Sequence, residues 1–137
     1  MNTNLSPLSL TVPDVLQKAK ALISNRHNWT QQCEARNKNL QPCPPNHPDA
    51  VAFCITGAVH NVCGLDCDDP TESLPEHKVS RDAYDILQDA VIQITDGQRE
   101  DYTVEQYNDT HTHYQALQVI DAAILIAHLL EKSNDTD

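Results

Sequence analysis

Pro48-Asp49-Ala50-Val51-Ala52-Phe53-Cys54-Ile55-Thr56-Gly57-Ala58-Val59-His60-Asn61-Val62-Cys63-Gly64 is the stretch on which the fold turns. It is apolar on nearly every side, opens on a proline and an aspartate that suit a helix start, and closes on a glycine that suits a helix end. Such a segment needs other elements wrapped around it. We therefore expect a central, enclosed helix over Asp49–Cys63, capped by Gly64. Gly57 costs helix stability relative to alanine, which points to a close helix crossing there, or to a ligand pressed on the backbone.

Outward from this segment, the periodicity predicts three more helices. Thr11-Val12-Pro13-Asp14 reads as a start signal, and Val15, Leu16, Ala19, Leu22 and Ile23 fall on one stripe, giving a helix from about Pro13 to Arg26. The connector over 30–48 is too rich in proline for regular structure near 41–48. After an acidic, proline-containing loop at 65–78, Val79-Ser80 starts a third helix with Ser80 as its N-cap. Its apolar face is Ala83, Ile86, Leu87, Ala90, Val91 and Ile94, and Asp96-Gly97 ends it. Residues 98–111 hold at most one short helical turn at 103–107. The last helix runs from about Thr112 to Lys132, with Leu117, Ile120, Ile124, Ala127 and Leu130 or His128 turned inward.

The expected fold is thus all-α, a compact bundle of four main helices with two long acidic or proline-containing loops. A flexible N-terminus (1–11) precedes a single helical domain (12–132), and a disordered tail (133–137) follows. With one Phe, one Trp, four Tyr and three Gly among 137 residues, the core must rest on Leu, Ile, Val and Ala, and helices are favoured over sheet.

Nine Lys plus Arg stand against twenty Asp plus Glu, for a formal charge of −11. That balance argues against nucleic-acid binding through a basic face and is the ordinary surface of a soluble protein. No run approaches the roughly 20 apolar residues of a membrane span, and the N-terminus lacks a signal-peptide pattern. The expectation is a cytoplasmic protein with no membrane partner. Its five cysteines would then be reduced, and an odd number cannot all pair within one chain.

Several residues carry candidate chemistry. His60, Cys63 and Cys67, with Cys54 earlier and Cys43-x-x-x-His47 upstream, could furnish zinc ligands, but no Cys-x-x-Cys knuckle is present. They are weak metal candidates, and buried cysteines acting as small hydrophobes are the better reading. His111-x-His113 beside Asp109 is a second metal or phosphate contact to consider. The acidic run Asp66–Glu72 lacks the glycine and distant glutamate of a calcium loop. Cys54 could serve as a nucleophile only if the fold brought a histidine over it. Asp121 lies in a run otherwise written for burial, so it needs a partner or a cleft; Arg36 is the partner we expect.

Short strings along the chain resemble those of an uncharacterised bacterial family of small proteins, a domain of unknown function. They are Asn28-Trp29-Thr30-Gln31, Ala35-Arg36-Asn37, Phe53-Cys54-Ile55-Thr56-Gly57-Ala58, Tyr107-Asn108-Asp109 and Val119-Ile120-Asp121, in the family's order over residues 15–130. Asn28, Asn37, Phe53 and Tyr107 depart from its pattern. The resemblance implies a shared fold and a framework of Trp29, Arg36, Cys54, Gly57, Asn108, Asp109 and Asp121, with no activity to transfer.

The functional expectation is a small helical binding or interaction protein that is not an enzyme. It would use no cofactor and hold a protein partner or a small anionic ligand, with room for a homodimer. The ligand would sit among those seven residues, Arg36 meeting the anion and Trp29 offering a stacking face. The alternatives are a cysteine-dependent enzyme with Cys54 as nucleophile, and a zinc-stabilised structural protein.

Overall fold

The computed structural model describes residues 10–66, 75–97 and 102–135. Residues 1–9 of the expected flexible N-terminus (1–11), Cys67 with most of the acidic Asp66–Glu72 run, and the last two residues of the tail lie outside these. Among the described residues the order is α1 (Val12–Ile23), a 3-10 turn (Arg26–Asn28), β1 (Ala35–Asn37), β2 (Ala50–Phe53), α2 (Ile55–Cys63), α3 (Pro75–Ile94), α4 (Val104–Thr110) and α5 (His113–Asp135). The all-α four-helix bundle is therefore incorrect: the described residues form five helices and a two-stranded antiparallel ribbon, and the fold is mixed.

The error lies in the deciding stretch. Its first part is strand and only its second part is helix. Phe53 pairs with Ala35, Ala52 with Arg36 and Ala50 with Asn37, with an irregularity between Arg36 and Asn37. A short apolar run satisfies a buried strand and a buried helix equally well, and the backbone changes over at Cys54. That residue is extended (φ −78°, ψ 176°), and its sulfur accepts the Gly57 amide as the N-cap of α2. Cys54, expected inside a helix, thus sits at the start of one. The enclosure holds for part of the stretch: Phe53, Cys54, Ile55, Ala58 and Val59 are buried, whereas Val51 is 46% exposed. Gly64 ends α2 in the left-handed conformation (φ +72°), where a glycine is at ease.

The start of α1 follows its sequence signal. Thr11 accepts from the Asp14 amide while the Asp14 carboxylate accepts from the Thr11 amide, a reciprocal cap with Pro13 in the first turn. The expected single turn at 103–107 is a full short helix, α4, capped the same way by Thr103 and Gln106. Helix α3 begins before Ser80, which is buried within it rather than capping it.

Ala116, Val119, Ile120, Ala123 and Ala127 of α5 are buried, whereas Leu130 is 51% exposed and His128 is exposed too. The inner stripe is therefore shifted from the one expected: Ile120 and Ala127 belong to both, while Leu117 and Ile124 are half-buried. Length and hydropathy alone would let His113–Ser133 pass for a membrane span, a resemblance that the sequence reading missed; its alanine-rich side packs in the core.

Candidate functional site

Asn108 of α4 organises the middle of the molecule. It is fully buried, and its amide makes four hydrogen bonds, the full complement of such a group. Its Oδ1 accepts from the Trp29 indole Nε1 at 2.9 Å and from the Ile55 amide at 3.1 Å. Its Nδ2 donates to the Thr30 carbonyl at 3.0 Å and to Asp109 Oδ1 at 3.2 Å. That carboxylate oxygen also receives the Gln32 amide at 2.7 Å. Gln32 has φ +73°, a left-handed backbone uncommon for a side chain of its size, and Asp109 holds it there. Gln31 completes the clasp by donating to the Asn108 and His111 carbonyls, each at 3.0 Å.

Arg36 faces inward on the same loop. Nε donates to Thr30 Oγ1 at 2.8 Å, and its two terminal nitrogens donate to the Leu40 and Gln31 carbonyls at 3.0 and 3.2 Å. It does not meet Asp121. That residue lies on the outer side of α5 with its side chain 55% exposed, in an ion pair with Lys20 at 2.7 Å. Of the seven residues singled out from the sequence, six (Trp29, Arg36, Cys54, Gly57, Asn108 and Asp109) belong to one connected region around the 29–36 loop, and Asp121 stands apart.

Gly57 links this clasp to a cleft. A Cβ built on it would lie 1.9 Å from the Glu34 carbonyl oxygen and 2.7 Å from that carbonyl carbon. The crossing anticipated from sequence is real, but the partner is the backbone of the loop before β1, not a helix. The same carbonyl accepts the Cys54 amide at 3.1 Å. With its backbone lying on the first turn of α2, Glu34 reaches His60 one turn further on, Oε1 to Nδ1 2.6 Å.

Across the cleft, Glu105 of α4 accepts from Thr56 at 2.9 Å on one carboxylate oxygen and from the Tyr84 phenol at 2.8 Å on the other. Burial and that hydrogen bond to Glu105 push the Tyr84 phenol well above its usual range, so it stays a donor. The resulting cleft encloses about 430 Å³, and its lining includes Glu34, Thr56, His60, Arg81, Tyr84 and Glu105, with Asp82 and Asp85 also facing it.

Cys54 lies in the same neighbourhood with its thiol pushed up to about 12. Burial is the main cause; the Gly57 amide hydrogen bond works the other way, and the charges of Glu34 and Glu105 add to the rise. At neutral pH the thiol therefore keeps its proton. Cys63, raised to about 11 mainly by burial, is similar.

The histidines do not gather into a metal centre. The His111 ring stacks on Tyr107 with centroids 3.6 Å apart, while His113 Nε2 approaches the Ile23 carbonyl at 2.6 Å. Among the described residues no group of three His, Cys, Asp or Glu is placed to hold a metal ion; Cys67 is outside them.

A mixed helical domain braced by a two-stranded ribbon, with an acidic cleft walled by three helices and a loop, is the class these features define. The chain belongs to a family of unknown function, DUF6197, whose model matches residues 7–125. No curated protein and no solved structure matches it.

Sequence reasoning missed Glu34, Thr56, Tyr84 and Glu105, and considered His60 as a metal ligand or as a histidine that the fold could bring over Cys54. Glu34 immediately precedes the Ala35-Arg36 string and Thr56 lies inside the Phe53–Ala58 string, so proximity to the motifs was the available signal.

Proposed function

We propose that this protein is a small-molecule-binding protein, without catalysis, whose site is the cleft between Glu34–His60 and Glu105–Tyr84, and whose ligand is a small organic cation bearing an ammonium or guanidinium group. The observation that carries this is the charge of the lining: Glu34, Asp82, Asp85 and Glu105 face one cleft with Arg81. Three of the four carboxylates are held by neighbouring side chains: Glu34 by His60, Glu105 by Thr56 and Tyr84, and Asp82 by the Lys78 ammonium at 2.8 Å. Carboxylates fixed before binding lose little freedom when a cation arrives, and charge-assisted hydrogen bonds to them are strong and directional.

The anionic ligand expected from sequence finds less support, because three of the five Arg36 donors are engaged by the loop that folds around it. The Trp29–Asn108–Asp109 clasp is, on this reading, the scaffold that positions α2 and α4 on either side of the cleft. A Cys54 nucleophile is disfavoured by the protonated state that burial imposes on its thiol.

A thermal-shift titration with putrescine, agmatine and choline, using glutarate as the anionic control, tests the proposal. At least one cation should raise Tm in the wild type, the rise should shrink as salt increases, and Glu105→Gln should reduce it at least tenfold in apparent affinity. Equal stabilisation by glutarate, no response to any of the cations, or an unchanged response in Glu105→Gln would overturn it.

A further inference from the structure

The bend before β1 and the return segment after it bring two cysteines onto one backbone carbonyl. Cys33 donates its thiol to the Ala35 carbonyl oxygen, Sγ to O 3.4 Å, and the Cys43 amide donates to the same oxygen at 3.0 Å. The antiparallel bridge between Arg36 and Pro42 sets Cys43 across from Ala35. Cys33, in the bend just before β1, lies two residues ahead of that Ala35 position. Both are unbonded thiols of intermediate burial. The Cys43 thiol is raised by burial first and then by its nearness to Cys33, which agrees with that placement.

The geometry points to a reversible disulfide between Cys33 and Cys43, formed by exchange with a low-molecular-weight disulfide of the glutathione class. Cys33 gives up its proton and attacks one sulfur of oxidised glutathione, expelling the first glutathione as a thiolate that takes a proton. Cys43 then loses its proton and attacks the Cys33 sulfur of the mixed disulfide, expelling the second glutathione. One disulfide bond breaks and one forms: two protein thiols are oxidised, and one glutathione disulfide is reduced to two thiols. Cys54 and Cys63, buried and with thiols pushed to about 12 and about 11, remain outside the exchange. The bond closes the loop that carries Arg36 and its carbonyl partner Leu40, locking the turn that leads out of β1.

The native chain, incubated with excess oxidised glutathione, acid-quenched and digested, gives the answer by mass spectrometry. The expected product is a cross-link between the Cys33 and Cys43 peptides with loss of two hydrogen atoms, reversed by dithiothreitol. Cys43→Ser should instead accumulate a glutathione adduct on Cys33. Stable glutathione adducts in the wild type without a cross-link, two unmodified thiols, or a cross-link from either cysteine to Cys67 would each overturn the assignment.

Discussion

Asn108 shows how much one amide can hold. Trp29, Thr30, Ile55 and Asp109 come from three places in the chain and meet on its two side-chain polar atoms, which are buried. Asn108→Ala would leave the buried Ile55 amide and the half-buried indole N–H and Thr30 carbonyl without their partner. Each stranded group costs about 1–3 kcal/mol, so a loss of about 3 kcal/mol or more is expected. Urea unfolding followed by the emission of Trp29, the single tryptophan, measures it, and a loss under about 1 kcal/mol would contradict the role given to this residue. The sequence marked Asn108 only through its place in a short string. Nothing in that string distinguishes a residue that binds a ligand from one that binds its own loop, because both demand the same buried polar group.

Among the elements, the β2–α2 unit is where sequence and structure part. Its apolar character was legible and correctly put the segment in the interior. Its conformation was not, because the strand that pairs with Ala50–Phe53 is only three residues long and sits in a polar connector. The missing partner, not the segment itself, decides between strand and helix. Gly57 was legible as a point of close approach, and its role is specific: only a residue without a Cβ lets the Glu34 backbone rest on α2. Gly57→Ala should therefore cost about 2–3 kcal/mol, since the obstacle is backbone and cannot swing aside. If urea melts showed Gly57→Ala to be neutral, the packing of the 34–36 loop on α2 would need revision. The acidic cleft could not be read in advance, as its residues come from a bend and three helices, and each alone looks like an ordinary surface side chain.

For the molecule as a whole, burial of thiols sets a limit on alkaline stability. Below pH 9.0, the ordinary value for a cysteine, folded and unfolded chains both keep these protons. Above it the unfolded chain loses them, while folded Cys63 and Cys54 hold theirs to about 11 and about 12. The unfolded state then binds fewer protons, so stability falls as pH rises through this window. Unfolding free energies should be nearly flat from about pH 7 to 8.5 and decline above 9, and Cys63→Ala should make the decline shallower. The same slope in wild type and variant would remove the thiols as its cause.

The indole of Trp29 and the amide of Asn108 are 79 positions apart in the chain, and their union has a kinetic meaning. A contact between segments so distant in sequence forms only after the intervening helices have been brought into register, and closing so large a loop is entropically costly. The environment of this fluorophore should therefore change in the closing step of folding and not in early helix formation. One native side chain thus serves as a built-in clock for the moment when the two halves of the polypeptide join.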